Sequence, residues 1–169
     1  MKTQITLSLS IISMAFIVFL GMTGFTKKEY SNDKIMASGG ELTFTVRTVT
    51  AGGNYSPKHV FVIWIEDNNG FVKTRKLRGN QRKQYLYTWK ASTTAAGSPY
   101  NVVDAITGST LTSHTTHTVS WDCHDLDGNI VPDGEYTVWV EFTDKHAQGP
   151  LYQITFNKGP DAEYKTPAD

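Results

Sequence analysis

Hydrophobic and polar positions divide the chain into distinct stretches. From Ile5 to Thr26 no side chain is charged, and Ile11-Ile12 and Ala15 to Leu20 form a continuous apolar centre. Beyond a polar stretch from Lys27 to Gly40, short β-branched and aromatic runs alternate with Gly, Asn, Asp and Pro. Leu42, Phe44 and Val46 alternate with Thr43, Thr45 and Arg47, the pattern of a half-buried strand. Val60 to Ile65 is apolar at every position, too short for a helix and rich in β-branched residues. It predicts a central strand covered on both sides. The turn Asp67-Asn68-Asn69-Gly70 leads into Phe71 to Leu77 as a hairpin. Further strands are expected at Gln84 to Trp89, His114 to Trp121, Glu135 to Thr143 and Leu151 to Asn157. No stretch beyond the apolar leader sustains a 3.6-residue period. About seven short strands joined by turns predict an all-β fold, an antiparallel immunoglobulin-like β-sandwich. The Ser/Thr-rich stretch from Thr107 to Ser120 suits a strand better than a linker, because threonine is β-branched.

The leader has the order of an export signal: Lys2, the apolar run, small residues at Gly21, Thr23 and Gly24, then Lys27-Lys28. Left uncleaved, the run is long enough to span a bilayer as an anchor helix. The expected organisation is a signal peptide or membrane anchor over 1–26, a flexible lead over 27–40, a β-sandwich over 41–158 and a flexible tail over 159–169. The functional part is therefore expected in the periplasm or outside the cell, with inner-membrane anchoring if the leader is retained. The only cysteine is Cys123, which leaves no thiol for a lipid anchor after the signal and no partner for an intramolecular disulfide. The domain must hold together by its core.

Composition adds exclusions. In 169 residues, 16 Lys and Arg balance 16 Asp and Glu, which argues against a strongly basic nucleic-acid binder and an acidic disordered chain. The neutral total conceals a segregation. Lys73, Arg75, Lys76, Arg78, Arg82, Lys83 and Lys90 lie between Asn68 and Val103 with no acid among them. Asp104, Asp122, Asp125, Asp127, Asp133, Glu135, Glu141 and Asp144 follow with no Lys or Arg among them. Two arrangements fit: opposite charges paired across neighbouring strands, or an electropositive patch for an anionic cofactor or partner.

Two local signatures carry chemistry. Trp121 to Val138, WDCHDLDGNIVPDGEYTV, resembles the Trp-Asp-Gly hairpin in the immunoglobulin-like domain of the flagellar hook-capping protein and its extracellular relatives. Cys123 stands where that pattern has Gly, so a positive φ is not expected at 123. Asp125, Asp127 and Asn129 have the spacing of a calcium loop, but the position an EF-hand gives to its closing glutamate is Tyr136. Carboxylates that cap turns are the simpler reading.

Asp104-Ala105-Ile106-Thr107-Gly108-Ser109-Thr110 resembles the flavinylation sequence Asp-x-x-Ser/Thr-Gly-Ala-Ser/Thr, with Ser109 in the Ala position. At the final hydroxyl of that sequence a periplasmic flavin transferase attaches FMN through a phosphoester. The resemblance implies covalent FMN on Thr110, close approach of the transferase at Thr107, Gly108 and Ser109, and Asp104 either contacting the transferase or ordering the loop. Aromatic residues lie nearby in sequence at Trp89, Tyr100 and Trp121. The flavin would carry the redox chemistry while the protein holds it and tunes its potential.

From Gly40 to Lys158 the chain resembles a family of predicted periplasmic proteins known as domain of unknown function 2271. The matching features are Tyr55-x-Pro57, the Val62 to Asp67 strand with its Gly70 turn, Tyr85-Leu86 with Trp89, the Asp104 to Thr110 segment and the Trp121-Asp122 hairpin. The resemblance implies partnership with flavin-transfer and membrane electron-transfer systems. Other constellations say less. His114, His117, His124 and Cys123 could ligate a metal, but in a strand over 114–120 residues 114 and 117 project to opposite faces. No Gly-x-Ser-x-Gly elbow supports a hydrolase, and acidic neighbours of Cys123 oppose a reactive thiolate. The expectation is an exported FMN carrier in extracytoplasmic electron transfer rather than a turnover enzyme. Its partners would be a flavin transferase and a periplasmic or membrane redox protein. The alternative is a cofactor-free immunoglobulin-like binding or assembly module.

Overall fold

The computed structural model describes residues 37–50, 58–143 and 146–166; the 1–26 leader and the Tyr55-x-Pro57 motif lie outside them. Among the described residues, seven strands form two sheets. In one, β1 (Leu42–Arg47) pairs antiparallel with β5 (Thr116–Trp121). In the other, β4 (Ile106–Gly108), β3 (Gly70–Arg78), β2 (Phe61–Asp67), β6 (Gly134–Thr143) and β7 (Gln148–Lys158) lie side by side in that order. The two sheets pack as an all-β sandwich.

The apolar run becomes the central strand because both of its faces are covered. Phe61, Ile63 and Ile65 enter the core between the sheets with Val119 and Trp121 of β5 and Val138 and Val140 of β6. Val62 and Trp64 point the other way, into a second core with Val60, Leu77, Leu86 and Trp89. Burying one such aliphatic or aromatic side chain is worth about 1.5–3 kcal/mol, so losing either cover would expose half the strand's contribution. The β2–β3 hairpin closes where Asp67 faces Gly70, and Asp67 Oδ1 accepts the Asn69 N–H at 2.7 Å. Gly70 adopts φ 118°, which favours glycine at the turn.

The second cover is helical, where a strand was expected over Gln84 to Trp89. A 3₁₀-helix spans Asn80–Tyr85 and an α-helix, α1, spans Tyr87–Ala95. The helix buries only Trp89 and Thr93, one turn apart, and Trp89 Nε1 donates to Thr74 Oγ1 of β3 at 2.9 Å. Its cap comes from another element. Glu141 of β6, fully buried, accepts the N–H groups of Thr88 at 3.0 Å and Trp89 at 2.9 Å, and Gln148 Nε2 donates to it at 2.7 Å. A carboxylate at the first turn satisfies orphan donors and complements the helix dipole.

Two further departures bear on the site. The three-residue β4 runs parallel to β3, so the sheet is not wholly antiparallel. β5 starts at Thr116, which leaves His114 outside the strand. At the other end of β6, Tyr136 donates its hydroxyl to the Pro132 carbonyl at 2.7 Å, a bond of the tyrosine-corner kind found in Greek-key sandwiches. Asp133 beside it gathers three donors: Ser38 N–H at 2.8 Å, the Ser38 hydroxyl at 2.8 Å and Lys158 Nζ at 2.6 Å. Among the described residues no helix is long and apolar enough to cross a membrane.

Candidate functional site

The segment from Asp104 to Thr110 forms an outer rim of the larger sheet. Asp104 sits in a turn at φ 56°, a conformation unusual for a residue with a side chain, and its carboxylate lies 3.3 Å from Lys73 Nζ of β3. Lys73 also donates to the Asp125 carbonyl at 3.0 Å, so it ties this rim to the Trp121 hairpin. Ile106, Thr107 and Gly108 then pair with Lys76, Leu77 and Arg78, and the Gly108 carbonyl accepts the Gly79 N–H at 2.9 Å. The Arg78 guanidinium folds over Gly108 so closely that a Cβ at this position would overlap it. The atoms in the way are the tip of a flexible side chain, so the overlap marks how near Arg78 lies and is not a strict demand for glycine. Thr107 and Ser109 are exposed and Thr110 is half-buried. The Thr110 hydroxyl makes no hydrogen bond among the described residues.

Thr110 is followed at once by a fixed point: Leu111 and His59 exchange backbone hydrogen bonds of 3.2 and 3.1 Å. His59 stacks on His114, with ring centroids 4.3 Å apart and planes 9° from parallel. His117 of β5 lies 6.4 Å from the His59 ring and 4.9 Å from Phe61. From the facing sheet come Lys76 and Arg78. They stand opposite Ile63 and Phe61 in the register, so they share the face that points towards β5. Gly108 thus touches Arg78 and Leu111 pairs with His59, with Thr110 between them.

The electrostatics of this cluster are one-sided. Burial pushes the His117 imidazole below the ordinary histidine range, and the cations Lys76, His59 and Arg78 push it further. Burial likewise lowers Lys76, with Arg78 adding to it. Neither Lys76 nor Arg78 forms an ion pair among the described residues, although Lys73 finds Asp104. Arg78 Nε, His114 Nδ1 and His117 Nε2 are buried without a hydrogen-bond partner. Among the described residues the segregated charges are therefore paired at Lys73 and unpaired at Lys76 and Arg78, which gather positive charge beside the histidines.

Several expectations change here. A strand over 114–120 would hold His114 and His117 apart; instead His114, ahead of β5, turns its ring onto His59 beside His117. His124 is held elsewhere, with Nδ1 2.8 Å from the Asp122 carbonyl. Among the described residues no group of three His, Cys, Asp or Glu side chains is arranged to hold a metal ion. Cys123 does adopt a positive φ, 59°, contrary to the reading from its replacement of Gly. Reversal of the chain after β5 demands that conformation whatever the side chain. Burial raises its thiol pKa and Asp122 and Asp133 raise it further, against the downward pull of Lys158, so the net state is the unreactive thiol. Asp125 caps its own turn: it accepts the N–H groups of Asp127 and Asn129 at 2.9 Å each. A cavity of ≈ 190 Å³ lies across the sheet, lined by Glu66, Phe71 and Ser92 among others, and none of the expected site residues reaches it.

The gathering of His59, Lys76 and Arg78 around the histidines escaped the sequence reading. One signal was available: Lys76 and Arg78 flank Leu77 at strand spacing, which places two cations on one face of the strand.

Comparison with protein families gives one finding. The model of DUF2271, described as a predicted periplasmic protein, matches residues 41–168. No curated protein and no solved structure matches the chain.

Proposed function

The chain belongs to the DUF2271 family of predicted periplasmic proteins, and from that premise we propose that it is a periplasmic flavin carrier with FMN joined to Thr110 through a phosphoester. The observation that carries the reading is the setting of the Thr110 hydroxyl. It makes no hydrogen bond among the described residues, and it lies between Gly108, which the Arg78 guanidinium overlies, and Leu111, whose backbone pairs with that of His59.

The residues fit the group in three respects. The exposed Thr107 and Ser109 leave the chain on the rim accessible to a modifying enzyme. Asp104, paired with Lys73, fixes the turn that starts the segment. Arg78 and His117 carry buried donor-capable nitrogens that lack partners, suited to phosphate oxygens. For Thr110 to become an ester, its oxygen must form a bond to phosphorus while a better leaving group than hydroxide departs. A flavin dinucleotide donor meets this requirement: its pyrophosphate bond breaks, the nucleoside monophosphate leaves, and the hydroxyl proton passes to a base of the transferase. Flavin supplies reversible redox chemistry when bound, and covalent attachment keeps it from being lost outside the cytoplasm. The redox partner would be a periplasmic or membrane protein.

Intact-mass measurement on protein produced in a host with a periplasmic flavin transferase tests this. The expected result is a mass gain of one FMN less water, absent in Thr110→Ala. An unmodified wild-type mass under those conditions rejects the carrier and leaves the cofactor-free sandwich as a binding or assembly module.

A further inference from the structure

We propose that Lys76, Arg78 and His117, beside the stacked His59–His114 pair, form an oxyanion-binding site whose resident is the phosphodiester carried on Thr110. This deepens the carrier reading and rests on it for the identity of the resident, though not for the site.

Three observations carry it. First, charge is concentrated where a sandwich ordinarily places apolar residues. The inward face of β3 presents Lys76 and Arg78 to β5, and no carboxylate among the described residues pairs with either. Lys76, 7% exposed and without a carboxylate partner among the described residues, carries a desolvation cost that an anion would offset, and the half-buried Arg78 adds a second charge beside it. Second, polar valences are left open. His117 is 7% exposed and its Nε2 has no partner; Arg78 Nε and His114 Nδ1 are in the same condition. Third, the surroundings select an anion over a cation. In the His59–His114 stack, rings 9° from parallel direct their in-plane lone pairs alongside one another rather than to one point. The adjacent Lys76 and Arg78 would repel a metal ion. The same groups suit a phosphate: guanidinium and ammonium donate to its oxygens, and His117 gains a proton as negative charge arrives.

The position suits a tethered phosphate. Arg78 covers Gly108, and Leu111 is pinned to His59, so the residue that would bear the ester lies between two contacts to the cluster.

The test uses the full chain in two forms. Unmodified protein is titrated with inorganic phosphate at constant ionic strength, with chloride as control, while the imidazole ¹⁵N and ¹³C resonances of His117 are followed. Expected is a saturable shift towards the protonated form, absent with chloride, and weakened about tenfold in Arg78→Gln, as loss of one charge-assisted contact implies. His117→Gln, followed through the His114 imidazole resonances instead, should weaken binding with the native fold retained by circular dichroism. In flavin-loaded protein the same resonances should already be shifted and should no longer respond to added phosphate. The site is overturned if His117 gives no saturable response, or if Arg78→Gln leaves the response unchanged in folded protein. Phosphate binding by a chain that the transferase never modifies would keep the oxyanion site and reject its tethered resident. A modified chain whose His117 ignores phosphate both free and tethered would reject the site and keep the carrier.

Discussion

Replacing Glu141 by Gln probes the one contact that turns an expected strand into a helix. The carboxylate accepts two backbone N–H groups, from Thr88 and Trp89, and a third donor from Gln148. Glutamine keeps the shape but has one acceptor. Whichever way the amide is turned, its NH₂ faces one of the two helix N–H groups, donor against donor. A buried N–H left unsatisfied costs about 1–3 kcal/mol. Loss of the negative charge at the helix N-terminus removes roughly 0.5–2 kcal/mol more. The expected loss is about 1.5–5 kcal/mol, or roughly 6–20 °C in Tm for a domain of this size. Urea unfolding followed by tryptophan fluorescence reads it directly, because Trp89 sits in the first turn of α1 and is fully buried. Gln148→Ala is the control. It removes only a neutral donor at the rim and should cost less than about 1 kcal/mol. A Glu141→Gln loss below about 1 kcal/mol with an unchanged denaturant slope would refute the assignment of Glu141 as the cap.

Three other outcomes follow from the geometry. The Lys158 ammonium, with Ser38, holds the Asp133 carboxyl at about 2, below its ordinary value of 3.8; its contribution is complete above about pH 4 and is lost as pH falls towards 2. The stability gap between wild type and Asp133→Asn, measured by thermal unfolding, should therefore narrow across that window, and a gap independent of pH would contradict the pairing. At position 123 the usual order of small residues should invert: Cys123→Gly is expected to be about 1 kcal/mol more stable than Cys123→Ala in urea, because at φ 59° a Cβ is strained. Gly108→Ala should cost little stability, because the atom in the way is the tip of the flexible Arg78 side chain. It should still weaken phosphate binding severalfold by moving that guanidinium, and unchanged binding would separate Arg78 from the site.

What the sequence disclosed was local. Val60 to Ile65 announced a doubly covered strand because each of its side chains is apolar, and the Asp67–Gly70 turn followed from residue types alone. The helix was hidden because Tyr85, Leu86, Tyr87 and Trp89 have strand-like composition, and only Trp89 and Thr93 mark a buried helical face. What commits the segment to helix is Glu141, over fifty residues away. The cationic cluster was hidden for the same reason. His59 precedes the basic run and His117 follows it, and only the packing of two sheets unites them. Asp104, Thr107, Gly108, Ser109 and Thr110 were legible as a motif. Their neighbours were not, since the parallel pairing of β4 with β3 is a long-range contact. At Cys123 the glycine of the hairpin pattern marked a backbone conformation that the substituted side chain does not abolish.

The bonds among Ser38, Asp133 and Lys158 have a mechanical consequence. They fasten Ser38, ahead of β1, to the last residue of β7. Tension applied between residues 38 and 158 would load that clasp first and leave the strand ladders at rest. Domains whose ends meet in this way also accept insertion into a host loop and circular permutation. The sandwich could thus be spliced into another periplasmic protein as a side module, with the exposed Thr107 and Ser109 still facing solvent.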